Sequence, residues 1–126
     1  MNRALAPRQH WTIARLTYWY LERSRWSDAE TLARGLLALD QRDGLAWKYY
    51  GEARCRQGDQ QEAARAFGEA ARLLEGDADT WMRFGISLLR LGRRDEARRA
   101  LQRAQASSGD EALLRRRIEA LLAMCR

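Results

Sequence analysis

Lysine is almost missing from this 126-residue chain: Lys48 stands alone among 23 basic residues, and the rest are arginine. Histidine and proline occur once each, as His10 and Pro7, and cysteine occurs twice. With one histidine, no Gly-rich phosphate loop, no nucleophile motif and no side chains at metal-ligand spacing, the chain offers no catalytic residue, no metal site and no cofactor site. It is not expected to be an enzyme. Cys55 lies within a helical stretch and Cys125 is penultimate, so their spacing suggests neither a disulfide framework nor a zinc site. Free thiols of a reducing compartment are expected. No apolar run reaches 18 residues, which argues against membrane insertion. Residues 1–9 carry Arg3, Pro7 and Arg8 but lack the apolar stretch of a secretory signal, so the expectation is a cytoplasmic protein.

Arginine dominates what is present. The formal net charge is +6, and the excess sits in residues 78–126, where 11 basic residues face 6 acidic ones. Arg93, Arg94, Arg98, Arg99 and Arg103, then Arg115, Arg116 and Arg117, could draw phosphates or an acidic protein surface. Asp95, Glu96, Asp110, Glu111 and Glu119 are interleaved with them, and no recognition motif accompanies the charge. A solvated face with ion pairs is the first reading, an acidic protein partner the second, and nucleic acid is not expected. Length and a 46% hydrophobic content with five tryptophans suit one small domain, residues 1–126.

The chain also copies itself at an offset of 34 residues. Trp47, Gly51, Gly58, Glu62, Ala63, Ala66 and Ala70 recur as Trp81, Gly85, Gly92, Glu96, Ala97, Ala100 and Ala104. Residues 43–70 and 77–104 share 10 identities in 28 positions, too many for chance. A fixed period of this length marks a helical repeat array, and the Trp-Gly-Ala pattern resembles the tetratricopeptide repeat (TPR), a helix-turn-helix unit. The signature positions are Trp47, Tyr50, Gly51, Ala63, Phe67 and Ala70, then Trp81, Phe84, Gly85, Ala97, Leu101 and Ala104. Gly51 and Gly85 would admit close helix approach, and Trp47 and Trp81 are read as core. Tyr is missing from the signature at Arg54 and Leu88, and the closing Pro is replaced by Glu75 and Gly109. A degraded copy precedes these, with Ile13, Leu16, Thr17, Tyr20, Ala29 and Ala33 at the signature places.

The resemblance implies an all-α, right-handed superhelix of about three TPR repeats, near 10–43, 44–77 and 78–109, closed by a capping helix at 110–125. Seven helices are expected near 8–23, 27–39, 44–57, 60–74, 78–91, 94–107 and 110–125. Ser27–Glu30, Asp59–Glu62 and Ser108–Glu111 have or approach capping-box spacing. In the last helix, Leu113, Leu114, Ile118, Leu121 and Leu122 recur at helical spacing opposite Glu111, Arg115, Arg116 and Glu119, which suits a terminal cap with a polar outer side.

In TPR arrays the first helix of each unit lines a concave groove, and the resemblance carries those positions to Trp11, Ala14, Arg15, Tyr18 and Leu21. They continue as Lys48, Tyr49, Glu52, Cys55 and Arg56, then as Met82, Arg83, Ile86, Leu89 and Arg90. Tyr18, Tyr49, Met82, Ile86 and Leu89 would bury apolar anchors of a peptide, and Arg15, Lys48, Arg56, Arg83 and Arg90 would hold its carboxylates or carbonyls. The Lys/Asn clamp of chaperone-tail-binding TPR domains would fall on Ala14, Tyr18, Glu52, Asp79 and Arg83. Only Arg83 fits, so that subtype is not expected.

Three repeats, an opening helix with Arg8-Gln9 and an apolar Leu16–Leu21 stretch, Asp28-Ala29-Glu30, and one terminal helix resemble the small TPR chaperones of bacterial type III secretion. The compact Y-type export chaperones are the nearer likeness. Translocator chaperones are similar too, but generally carry a longer N-terminal extension. The resemblance implies a bacterial cytoplasmic chaperone that shields a small secretion-system protein, with hetero- or homodimerisation open. The alternative is a TPR scaffold or adaptor in an envelope, pilus or regulatory assembly.

Overall fold

The computed structural model describes residues 5–126. The part of the signal-peptide argument that rests on Arg3 lies outside the described residues. Seven helices follow in order: α1 (Pro7–Glu22), α2 (Trp26–Leu39), α3 (Gly44–Arg56), α4 (Gln60–Leu73), α5 (Ala78–Arg90), α6 (Arg94–Ser107) and α7 (Ala112–Ala123). They form three helix-turn-helix pairs, α1–α2, α3–α4 and α5–α6, with α7 packed on the last. None of them is long and apolar enough to cross a membrane.

The turn inside each pair is the same turn. Gly58 and Gly92 hold φ of +89° and +77°, and Ser24 holds +58° at the equivalent place in the first pair. Arg25 donates to the Tyr20 carbonyl (2.9 Å), Asp59 to Arg54 (3.0 Å) and Arg93 to Leu88 (2.9 Å). These are the long backbone bonds that close a helix through a left-handed residue. The degraded first copy has therefore lost the glycine while keeping its conformation.

Close approach within the pairs comes from small residues. Ala63 and Ala97 are fully buried. A Cβ on Gly51 would meet the Phe67 ring at 3.0 Å, and one on Gly85 would meet Leu101 Cγ at 2.7 Å. The tryptophans are not fully enclosed as expected. Trp47 lies half-buried against the edge of Tyr50, donates Nε1–H to the Gln41 carbonyl (2.8 Å) and is covered by the Arg65 guanidinium. Trp81 packs beside Phe84 under Arg103. Each indole is too large to hide in a thin two-helix layer, so arginine stems shield its open side.

The helix starts differ from expectation at two of three places. Asp59 does cap α4, accepting from the Glu62 amide at 3.1 Å. At α2 the left-handed turn at Ser24 sends the chain straight into a helix beginning at Trp26, so Ser27 already lies inside it and makes no cap. At α7 the helix begins only at Ala112, and Ser108 instead closes α6 by donating to the Gln105 carbonyl (2.9 Å). Asp43, at the start of α3, is a cap the spacing argument did not name; it accepts from the Ala46 amide (3.1 Å).

On α7, Ile118 and the following Cys125 are fully buried against Leu88, Leu101 and Ala104, with Leu114, Leu121 and Leu122 packed at the border. Arg98 of α6 donates to the Cys125 carbonyl and ties the end of the chain down. Leu113, expected on the apolar side, points to solvent at 75% exposure. Leu114, one residue on, turns by about 100° and packs at the border of the core instead.

Candidate functional site

Helices α1, α3 and α5 stand side by side, and a cavity of about 360 Å³ opens between them, walled by Tyr18 and Leu21 of α1 and by Leu45, Lys48, Tyr49 and Glu52 of α3. Asp79 and Arg83 of α5 close it. The Tyr18 and Tyr49 rings lie 6.2 Å apart at a tilt of 41°. A second cavity of about 400 Å³ shares Glu52 and Arg83 and continues toward Ile86, Arg90 and, from α7, Arg117. The two make one groove along the first helices of the repeats.

The two cations of the first cavity, Lys48 and Arg83, are tied up internally. Lys48 Nζ lies 3.0 Å from Asp77 and 3.1 Å from Asp79, and the lysine side chain is only 19% exposed. Arg83 donates Nε–H to Asp79 (2.7 Å) and pairs with Glu52 of α3. Glu52 also receives Arg56 at 3.1 Å. Burial alone would raise the Asp79 carboxyl, but the hydrogen bond and charge of Arg83, together with Lys48, outweigh it and hold the group below the ordinary aspartate range. Asp77 is lowered in the same way against its burial, by Thr80 and Lys48. Arg83 is raised, its two carboxylates overcoming desolvation. The Tyr18 hydroxyl is pushed up by its hydrogen bond to Glu22 and by that carboxylate's charge, and Tyr49 is pushed up chiefly by burial. Both phenols are therefore neutral hydrogen-bonding groups near pH 7.

Of the residues expected to bind a partner, Tyr18, Lys48, Tyr49, Glu52 and Arg83 meet in the first cavity, and Ile86 and Arg90 join the shared pair in the second. Met82 does not belong to the groove. At 1% exposure it lies in the core with Leu88 and Leu101, because one residue along a helix turns the side chain by about 100° and carries position 82 from the groove to the buried stripe of Ala78 and Gly85. Ala14 is buried as well, and Leu89 packs at the border of the same core as Met82. Trp11 and Arg15 lie elsewhere on α1: the guanidinium covers the indole at 4.7 Å, beside Leu16, Trp19 and Tyr20 in a separate shallow depression. Asp77, Leu45 and Arg117 were missed. Asp77 could have been found, since it repeats Asp43 at the start of a first helix; Arg117 could not, since α7 lies outside the repeat.

Among the described residues there is no group of three His, Cys, Asp or Glu side chains able to hold a metal ion. A family model described as tetratricopeptide repeat matches residues 54–125, more than half of the chain. The chain belongs to the tetratricopeptide repeat family. No curated protein matches this TPR sequence. Solved structures extend the likeness to the first pair of helices, which the family model does not cover. The type III secretion translocator chaperone SycD of Yersinia enterocolitica superposes with a TM-score of 0.90 at 19% identity, over 99% of this chain and 88% of that one. PcrH from Pseudomonas aeruginosa gives 0.87 at 22% identity, over 99% and 97%. PcrH in complex with the chaperone binding region of PopD gives 0.90 at 21%, over 99% and 96%. At these identities the likeness establishes a shared TPR fold that takes in all seven helices.

Proposed function

We propose that this TPR protein is a cytoplasmic chaperone that holds a segment of a small secretion-system protein in the groove between α1, α3 and α5. The carrying observation is the state of the groove's charges. Lys48 and Arg83 are already satisfied by Asp77, Asp79 and Glu52, so beside Glu22, which engages the Tyr18 hydroxyl, the α1-side cavity offers the rings of Tyr18 and Tyr49, the side chains of Leu21 and Leu45, and the Tyr49 hydroxyl. Such a wall suits apolar side chains and the polar backbone of an extended or helical segment, and it disfavours a charged tail that must displace an existing ion pair. The solved relatives support this reading, since SycD has been seen with a peptide of the translocator YopD and PcrH with the chaperone binding regions of PopD and PopB. SycD is a translocator chaperone; the fold likeness does not separate that branch from the Y-type chaperones. The test is co-expression with the products of neighbouring genes: one product should be soluble only in company, and Tyr18→Ala should reduce the amount recovered. A partner that is equally soluble alone would overturn the chaperone reading.

A TPR scaffold joining folded partners is favoured by one separate observation, the exposed Trp11, Leu16 and Trp19 on α1, which the groove does not use.

A further inference from the structure

The groove changes sign along its length. The α1-side cavity is lined by Glu22, Glu52 and Asp79 against Lys48 and Arg83. In the α7-side cavity, Arg56, Arg83, Arg90 and Arg117 face Glu52 as the one carboxylate among the lining residues. Glu52 is already engaged by Arg56 and Arg83. Arg90 and Arg117 are exposed and form no ion pair among the described residues; the polar contact of Arg90 is with the Cys55 thiol at 3.2 Å. Arg65, Arg72 and Arg93 each pair with a carboxylate three residues away, and Arg90 and Arg117 do not; converging on one cavity from different helices, the two form a local excess of positive charge. A second observation points to the same place. Ser87, one turn before Arg90 on α5, lines the cavity with a buried hydroxyl that has no hydrogen-bond partner. A buried hydroxyl without a partner is a costly arrangement that a ligand oxygen would relieve.

We infer that the α7 end of the groove is a carboxylate-binding subsite: the bound segment carries acidic residues beside its apolar anchors, and Arg90 and Arg117 receive them. The inference rests on the groove reading and adds a direction to it, with the apolar part of the segment against Tyr18 and Tyr49 and its acidic part toward α7. Arg117 gives the last helix a role besides covering the core. Two guanidiniums offer paired N–H donors matched to carboxylate oxygens, and a misoriented segment would place its acids against Glu22 and Asp79.

The test uses two acetylated, amidated decapeptides, one with three leucines spaced along its first seven residues followed by two glutamates, the other with glutamines in place of the glutamates. Each is titrated into the full chain to millimolar concentration by NMR at about 50 mM salt. The expected result is at least five-fold tighter binding of the glutamate peptide, with shifts at Ser87, Arg90 and Arg117 that the glutamine peptide does not cause. The preference should shrink at high salt and vanish in the Arg90→Gln/Arg117→Gln double variant, whose positions are exposed. Equal affinity of the two peptides, with both perturbing Tyr18 and Tyr49, overturns the subsite and leaves the groove reading standing. If neither peptide perturbs the groove, both readings fall. Tighter binding of hexauridylate than of the glutamate peptide at Arg90 and Arg117 overturns the inference in favour of a phosphate-binding surface.

Discussion

Ser24 stands in the first repeat where Gly58 stands in the second, 34 residues on, and both hold the left-handed backbone conformation that ends the first helix of a pair. The serine carries a steric cost there that the glycine does not, roughly 1–2 kcal/mol, against a gain of about 0.4–1 kcal/mol from the lower entropy of its unfolded chain. Ser24→Gly should therefore raise stability by about 0.5–1 kcal/mol, and Gly58→Ser should lower it by a similar amount. Urea denaturation of the two variants measures both effects. Loss of stability in Ser24→Gly would mean that the serine is held by something other than the turn.

A pair of glycines separates space from conformation. Gly85 faces Leu101 so closely that a new Cβ would sit 2.7 Å from its Cγ, whereas Gly35, inside α2, has nothing within 4 Å. Gly85→Ala should cost about 1–3 kcal/mol in overpacking, offset in part by the better helix propensity of alanine. Gly35→Ala keeps only the propensity gain and should stabilise by about 0.5–1 kcal/mol. Opposite shifts in melting temperature are expected. Equal shifts would show that α5 and α6 are not packed as described.

The fold was legible because the repeat writes each contact twice. Gly51 and Gly85, Ala63 and Ala97, Asp43 and Asp77, and the turn glycines Gly58 and Gly92 recur at one offset, and a helix expected at 44–57 is found at Gly44–Arg56. The groove was legible only in part. Its ion pairs join residues far apart in sequence, as Lys48 joins Asp77 across 29 residues, and depend on how α3 and α5 register against each other. Met82 failed for a different reason. Position 82 borders both the groove and the core, and a methionine fits either, so residue type could not decide its side. Arg117 comes from the one helix that repeats nothing, which left the α7 end of the groove outside any sequence pattern.

Acid should expose the ion network around Lys48. Asp77 and Asp79 have folded pKa values below the unfolded aspartate value of about 3.9, so they stabilise the fold above that value and lose the contribution as pH falls through their lower folded values. The melting temperature should be nearly flat from about pH 7 to pH 5 and fall below about pH 4. Glu30, Asp59 and Glu62 are shifted down as well and steepen the fall. In Lys48→Met the two aspartates lose a shared cation and face each other's charge, so the variant should be less stable at pH 7 and converge on the parent chain as pH falls through the folded values of the two carboxyls. Parallel curves for the two proteins would show that Lys48 is not coupled to the pair.

Met82 and Tyr18 were expected to act alike and should act oppositely. Met82 is fully enclosed between α5 and its neighbours, so Met82→Ala leaves a cavity in the core and should cost about 2–5 kcal/mol of stability. Tyr18 is half exposed at the open wall of the groove, with its ring against Tyr49 and no place in the buried core. Tyr18→Ala should leave the urea midpoint close to that of the parent chain while weakening a verified partner segment by about 1–2 kcal/mol, the range of an aromatic contact residue. Measuring both variants for both properties separates a packing role from a binding role, since a residue that only packs lowers affinity in proportion to the fraction unfolded. If Tyr18→Ala binds the segment as tightly as the parent while Trp11→Ala or Trp19→Ala does not, the partner sits on the outer side of α1, and the groove between α1, α3 and α5 is not its site.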